Sequence, residues 1–88
     1  MIDNYHKIYF KGEFIMPHII VKLWPGRSDE QKIALADKMA EAMTKIMGIP
    51  DENISVSFEE VAKQKWTEEV YNTDILAKEN LLYKKPGY

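Results

Sequence analysis

From Pro17 onward the apolar side chains Ile19, Val21 and Leu23 alternate with His18, Ile20, Lys22 and Trp24, the period of two that gives a strand one committed apolar face. Pro25-Gly26 ends that strand. Ser28 stands three residues before Gln31, the spacing of a capping box in which hydroxyl and amide each satisfy an orphaned backbone N–H, so a helix is predicted to start at about Asp29. Ile33, Ala36, Ala40, Met43 and Met47 then recur at steps of three and four. Leu35, Met39, Ala42 and Ile46 widen the stripe, while Lys32, Lys38, Glu41 and Lys45 form its wet side. Methionines at helical spacing are read as core packing. Gly48, with Pro50 soon after, is a helix stop. A second alternation, Ile54, Val56 and Phe58 against Ser55, Ser57 and Glu59, predicts a second strand.

A helix between two strands is the signature of a right-handed crossover, so the strands are expected to be parallel. After Trp66, Thr67 with Glu68 and Glu69 forms a plausible first turn. Val70, Tyr71, Ile75, Leu76, Leu81 and Leu82 follow at loosely helical spacing, predicting a C-terminal helix to about Tyr83. The fold class is therefore α+β: a β-α-β unit plus a C-terminal helix. Two strands and one long helix leave one sheet face and both edges open. Completion of the sheet by other copies is expected, with a twofold pair the simplest closure and larger even assemblies open.

Composition narrows the chemistry. An 88-residue chain is one small domain with a modest core unless something staples it. There is no cysteine, and the two histidines, His6 and His18, lie far apart, so neither a disulfide nor a metal site is expected. Twelve Lys and Arg against fourteen Asp and Glu leave a formal charge of −2, which offers no footprint for nucleic acid. Apolar runs reach three or four residues, far below the roughly 20 that span a bilayer, and no secretory signal pattern opens the chain. A cytoplasmic protein is the default expectation.

Met16-Pro17 opening a strand, followed by Gly26-Arg27-Ser28-Asp29-Glu30-Gln31-Lys32 at the head of the helix, resembles the 4-oxalocrotonate tautomerase family. The likeness runs from Pro17 to about Trp66 without a gap. Trp66, the extra C-terminal helix and the ending Lys-Lys-Pro-Gly-Tyr are more similar to the family's dimeric bacterial branch, which is associated with phenylpyruvate-type enols. The resemblance implies a tautomerase-like fold and a cofactor-independent isomerase. In it, loss of the initiator Met leaves Pro17 with a free secondary amine that serves as general base. An apolar pocket and a nearby guanidinium disfavour the ammonium form and lower its pKa. The implied reaction is a 1,3-proton shift, enol to ketone, on a 2-hydroxy-2,4-dienoate or an arylpyruvate enol. Arg27 is implied as the fork of donors for the carboxylate or 2-oxo oxygen.

The chain departs from the family at Ser55, where hexameric members carry a second arginine. A hydroxyl cannot clamp a carboxylate bidentately, which points away from a dicarboxylate and toward a monoacid with an apolar or aromatic tail. Trp66 stands where the family places an aromatic pocket wall, and Trp24 is a second aromatic candidate; packing is the alternative role for both. Glu59 and Glu60, adjacent on a strand, point to opposite faces and do not make a shared carboxylate site. His18 is expected to be solvated or at the rim of the site, and the basic tail to be solvated or to pack across a subunit boundary.

Residues 1–15 stand apart from the 16–88 tautomerase-like region. With Met16 attached, the Pro17 nitrogen is an amide without useful basicity. One reading pairs Ile8-Tyr9-Phe10 with Glu13-Phe14-Ile15 as an added hairpin and makes the protein a noncatalytic oligomeric binding module. The preferred one treats the segment as leader: Lys11-Gly12-Glu13 can be encoded AAA-GGA-GAA, a purine-rich ribosome-binding sequence just upstream of the Met16 codon. A relative performing hydration or dehalogenation is the enzymatic runner-up. It would need a carboxylic acid to activate water, and none is assigned.

Overall fold

The computed structural model describes residues 15–88, and the hairpin expected between Ile8 and Ile15 lies outside the described residues but for Ile15 itself. Strand β1 is His18–Leu23, helix α1 is Asp29–Met47 and strand β2 is Ser55–Glu60. β1 and β2 form a two-stranded sheet. Ser55 N–H donates to the Pro17 carbonyl at 3.2 Å and Val61 N–H to the Leu23 carbonyl at 2.9 Å, the same sequence offset at both ends, as a parallel pair requires. The expected β-α-β unit is thus present.

By contacts the chain divides into two compact units, one of residues up to Val21 with Arg27–Ser57, the other of Lys22–Gly26 with Phe58–Tyr88. In the first, exposure alternates over His18–Val21 as the sequence predicts, with Ile19 and Val21 shielded and His18 and Ile20 open; the alternation then lapses, since Lys22 is half-buried like Leu23. α1 begins at Asp29 because Ser28 Oγ accepts from Gln31 N–H at 3.1 Å while Gln31 Oε1 accepts from Ser28 N–H at 3.0 Å, closing the capping box. It stops at Gly48, whose φ of 72° lies in the left-handed region open to glycine. The chain then drops Ile49 into the interior, 3 % exposed, before the 3₁₀ turn Asp51–Asn53.

The apolar stripe of α1 is only half used. Ala36, Met39, Ala40 and Met43 are partly covered, yet no residue of the helix is fully buried, and Ile33, Leu35, Ile46 and Met47 stay exposed, Ile46 to 82 %. The expectation that every stripe position is core is corrected to that extent for a single chain. Lys32, read as part of the wet side, is half-buried, because it lies four residues before Ala36 on the same face.

In the second unit, a 3₁₀ turn at Lys63–Lys65 leads into the helix Thr67–Leu76, which is π-wound. It ends earlier than the predicted Tyr83 and is followed by a 3₁₀ turn at Glu79–Leu81. The winding matches the sequence: Val70 and Ile75, then Tyr71 and Leu76, are spaced by five, the interval one turn of i→i+5 bonding brings together. Ala77 N–H bonds the Asn72 carbonyl in that manner at 3.1 Å. Val70 is the buried centre at 4 % exposure. The tail is not a bare solvated terminus, since the Tyr88 ring returns to within 5.9 Å of Tyr71. Among the described residues no helix is long and apolar enough to cross a membrane.

Replacing Ser28 with Ala removes the acceptor at the head of α1 and is expected to destabilise the protein by about 1 kcal/mol. Urea unfolding should show a lower midpoint with unchanged slope; an unchanged midpoint would mean that the capping box does not hold the helix.

Candidate active site

Pro17 enters the sheet through its backbone, its carbonyl accepting from Ser55 N–H, and the ring is partly covered. That single bond places the residue immediately ahead of β1 beside the first residue of β2. Its nitrogen is acylated by Met16 in this chain, so it carries no basic lone pair here.

His18 and Ser55, both exposed, and half-buried Ser57 occupy alternate positions on their strands and therefore share a sheet face. The imidazole lies between the two hydroxyls, Nδ1 at 2.7 Å from Ser55 Oγ and Nε2 at 3.3 Å from Ser57 Oγ. Sequence reasoning left His18 as a solvated or rim histidine and missed this bridge. The usable signal is that a residue alternating with the core on one strand faces i and i+2 of the neighbouring strand.

Arg27 follows Gly26, whose φ of 127° is backbone that side chains with a Cβ rarely adopt. The turn delivers Arg27 just before the Ser28 cap. Its side chain is exposed, and no hydrogen bond or ion pair engages it among the described residues. An uncommitted guanidinium has all five donors open to an anionic ligand.

In the second unit, Trp24 and Trp66 meet edge to face with centroids 6.5 Å apart, and Lys63 Nζ stands 5.1 Å from the centre of the Trp24 ring. The two tryptophans singled out from sequence are thus neighbours, a pairing sequence spacing does not reveal. Lys22 is fastened to Asp74 of the π helix at 2.6 Å, with Glu59 at 4.0 Å. The Lys22 hydrogen bond holds the Asp74 carboxyl below the ordinary aspartate value, and the same bond raises Lys22. Asn53 is a buried polar residue that sequence reasoning did not select; its Nδ2 donates to the Ile15 carbonyl at 3.5 Å. No cluster of metal-ligating side chains exists among the described residues.

Residues 17–70 match the family described as Tautomerase enzyme, a span that begins at Pro17 and includes Arg27, Ser55 and both tryptophans. A probable tautomerase of Xylella fastidiosa is 44 % identical over 73 residues, covering 83 % of this chain and 89 % of that protein. The crystal structure of TomN, a 4-oxalocrotonate tautomerase homologue in the tomaymycin biosynthetic pathway, superposes with a TM-score of 0.55 at 34 % identity, covering 57 % of this chain and 77 % of that one. A structure studied for trans-3-chloroacrylic acid dehalogenase activity gives 0.53 at 33 % identity, covering 56 % and 92 %.

Because the Asp74 pKa is depressed in the folded protein, the pair stabilises at pH above the unfolded aspartate value, and that stability is lost as pH falls through the folded one. Acid unfolding monitored by circular dichroism should show Asp74→Asn converging with the parent protein at low pH while lying below it at neutral pH. Parallel curves across the whole range would remove the Lys22–Asp74 bond as the source.

Proposed function

From the premise that this chain belongs to the tautomerase family, of the 4-oxalocrotonate tautomerase type, we propose that it is a cytoplasmic, cofactor-independent enol–keto tautomerase whose general base is Pro17 as a free N-terminal amine. The observation that carries this reading is that the family match starts at Pro17. The mature form is proposed to begin there, with Met16 as the translational start and residues 1–15 outside the functional protein. In that form the secondary amine takes the proton of the enol hydroxyl and returns one to C3, and the C2 oxygen becomes the ketone. Arg27, exposed and uncommitted, binds the carboxylate or the C2 oxygen and stabilises the charge developing there.

The proposed substrate is a monoacid, an arylpyruvate enol or a 2-hydroxy-2,4-dienoate, because Ser55 stands where a second guanidinium would be needed for a dicarboxylate. Ser55 is a proposed polar contact to the substrate. Trp66 and Trp24 are proposed contacts for its tail on the strength of the family resemblance. Hydration or dehalogenation remains a second reading, favoured by the likeness to the chloroacrylic acid dehalogenase structure. Chloride release from 3-chloroacrylate at a rate exceeding ketonisation would establish it instead.

A homo-oligomer is part of the proposal, a dimer first and a larger even assembly next. The two-stranded sheet has unpaired edges, and Ile20, Ile33, Leu35, Ile46 and Met47, 46 to 82 % exposed, would each gain part of the ~1.5–3 kcal/mol of full burial. Analytical ultracentrifugation at micromolar concentration should show a dimer or larger even species; a well-folded monomer would rule this out.

The chain beginning at Pro17 should ketonise phenylenolpyruvate or a 2-hydroxydienoate, followed by the decay of enol absorbance, with a rate that rises through the pKa of its amine. The 88-residue chain should be inactive or nearly so, because amide resonance removes the lone pair. Pro17→Ala in the short form keeps a primary amine and should retain partial activity. Arg27→Ala should lose about ten- to a thousand-fold in rate. Equal activity of the long and short forms would defeat the mechanism, and inactivity of both would favour a noncatalytic binding module.

A further inference from the structure

The imidazole of His18 touches a hydroxyl at each nitrogen, and a neutral ring has one donor and one acceptor to offer them. The closer contact is that of Nδ1 with Ser55 Oγ, 2.7 Å, and the looser that of Nε2 with Ser57 Oγ, 3.3 Å; one of the two ways to share a donor and an acceptor has Ser55 donating to Nδ1 and Nε2–H facing Ser57. Ser55 owns a single proton. Once that proton is committed to Nδ1, the exposed side of Ser55 Oγ presents lone pairs only.

We propose that His18 makes Ser55 a hydrogen-bond acceptor, so that the position beside Pro17 selects 2-hydroxy acids, the enol side of the reaction, over the corresponding 2-oxo acids. This rests on the functional reading above and extends it to the recognition of the C2 oxygen. An enol carries a C2 hydroxyl that donates to Ser55 Oγ on binding and turns to the Pro17 amine for the transfer; a ketone at the same carbon has no proton to give. The 1,3-shift itself therefore removes a contact that held the substrate, and the product leaves a site no longer matched to it. His18 acts through Ser55 and is a positioning residue. The bond between Ser55 N–H and the Pro17 carbonyl, 3.2 Å, keeps the hydroxyl in register with the amine.

Two measurements test this. Long-range ¹H–¹⁵N correlation on the full chain at about pH 8.5, above the range in which histidines ordinarily titrate, should show His18 as the Nε2–H tautomer, with a His6→Gln sample assigning the second imidazole. The Nδ1–H tautomer overturns the proposal whatever the enzyme does. Calorimetric titration with mandelate and benzoylformate, a 2-hydroxy and a 2-oxo acid of one skeleton that cannot enolise, should favour mandelate by about two- to ten-fold, the span of one net hydrogen bond. His18→Phe and Ser55→Ala should bring the ratio to about one, while His18→Asn, which keeps an acceptor near the Nδ1 position, should preserve it. A ratio unchanged in His18→Phe, or no binding of either acid, overturns the proposal. Inactivity of the Pro17-initiated form, with tautomer and binding ratio as expected, overturns the reaction and leaves the C2 selectivity standing.

Discussion

The parallel pairing of β1 with β2 is the constraint from which the rest follows. Parallel strands cannot be joined by a tight turn, so the chain must leave β1, travel the length of α1 and come back. Each device between Pro25 and Asn53 serves that return. Gly26 turns the chain, the Ser28–Gln31 box starts the helix, Gly48 ends it in a left-handed conformation, and buried Ile49 anchors the way into β2. The register that results puts Ser55 across from Pro17 and sets His18 between Ser55 and Ser57. The polar site is a by-product of strand alignment rather than a loop built for it.

What was legible in the sequence is what local chemistry decides. The cap, the stop and the two strands depend on residues within a few positions of one another, and they appear where the pattern places them, although Lys22 and Ser57 are half-buried against the alternation. The helix after Trp66 was legible as a helix but not in its winding or end, because spacing by five and spacing by four look alike over two turns, and packing around Val70 chooses between them. The partial exposure of the α1 stripe was invisible for another reason. Periodicity shows which positions are apolar, not whether one copy of a chain this small has enough partners to cover them.

The site divided along the same line. Pro17, Arg27, Ser55, Trp24 and Trp66 could be named as candidates because a run of residues carries a resemblance. The bridging role of His18 and the buried Asn53 could not, since both depend on pairing between segments more than thirty residues apart, which a single sequence does not encode visibly. Lys22 is similar: its alternation with the core assigns a face, while its bond to Asp74 exists only once the π helix is placed.

Asn53 has a bearing on how a proline can become a terminus. Its amide reaches the Ile15 carbonyl at 3.5 Å, the outer limit of hydrogen-bonding distance, and it is the one side-chain bond to Ile15, Met16 or Pro17 among the described residues. The bond that seats the strand, Ser55 N–H to the Pro17 carbonyl at 3.2 Å, begins at the proline itself. A cut between Met16 and Pro17 thus falls between a slack tether and a firm one. A chain begun at Met16 does without the slack one and forfeits less than the ~0.5–1.5 kcal/mol of an ordinary hydrogen bond, while the firm one keeps the proline moored to β2.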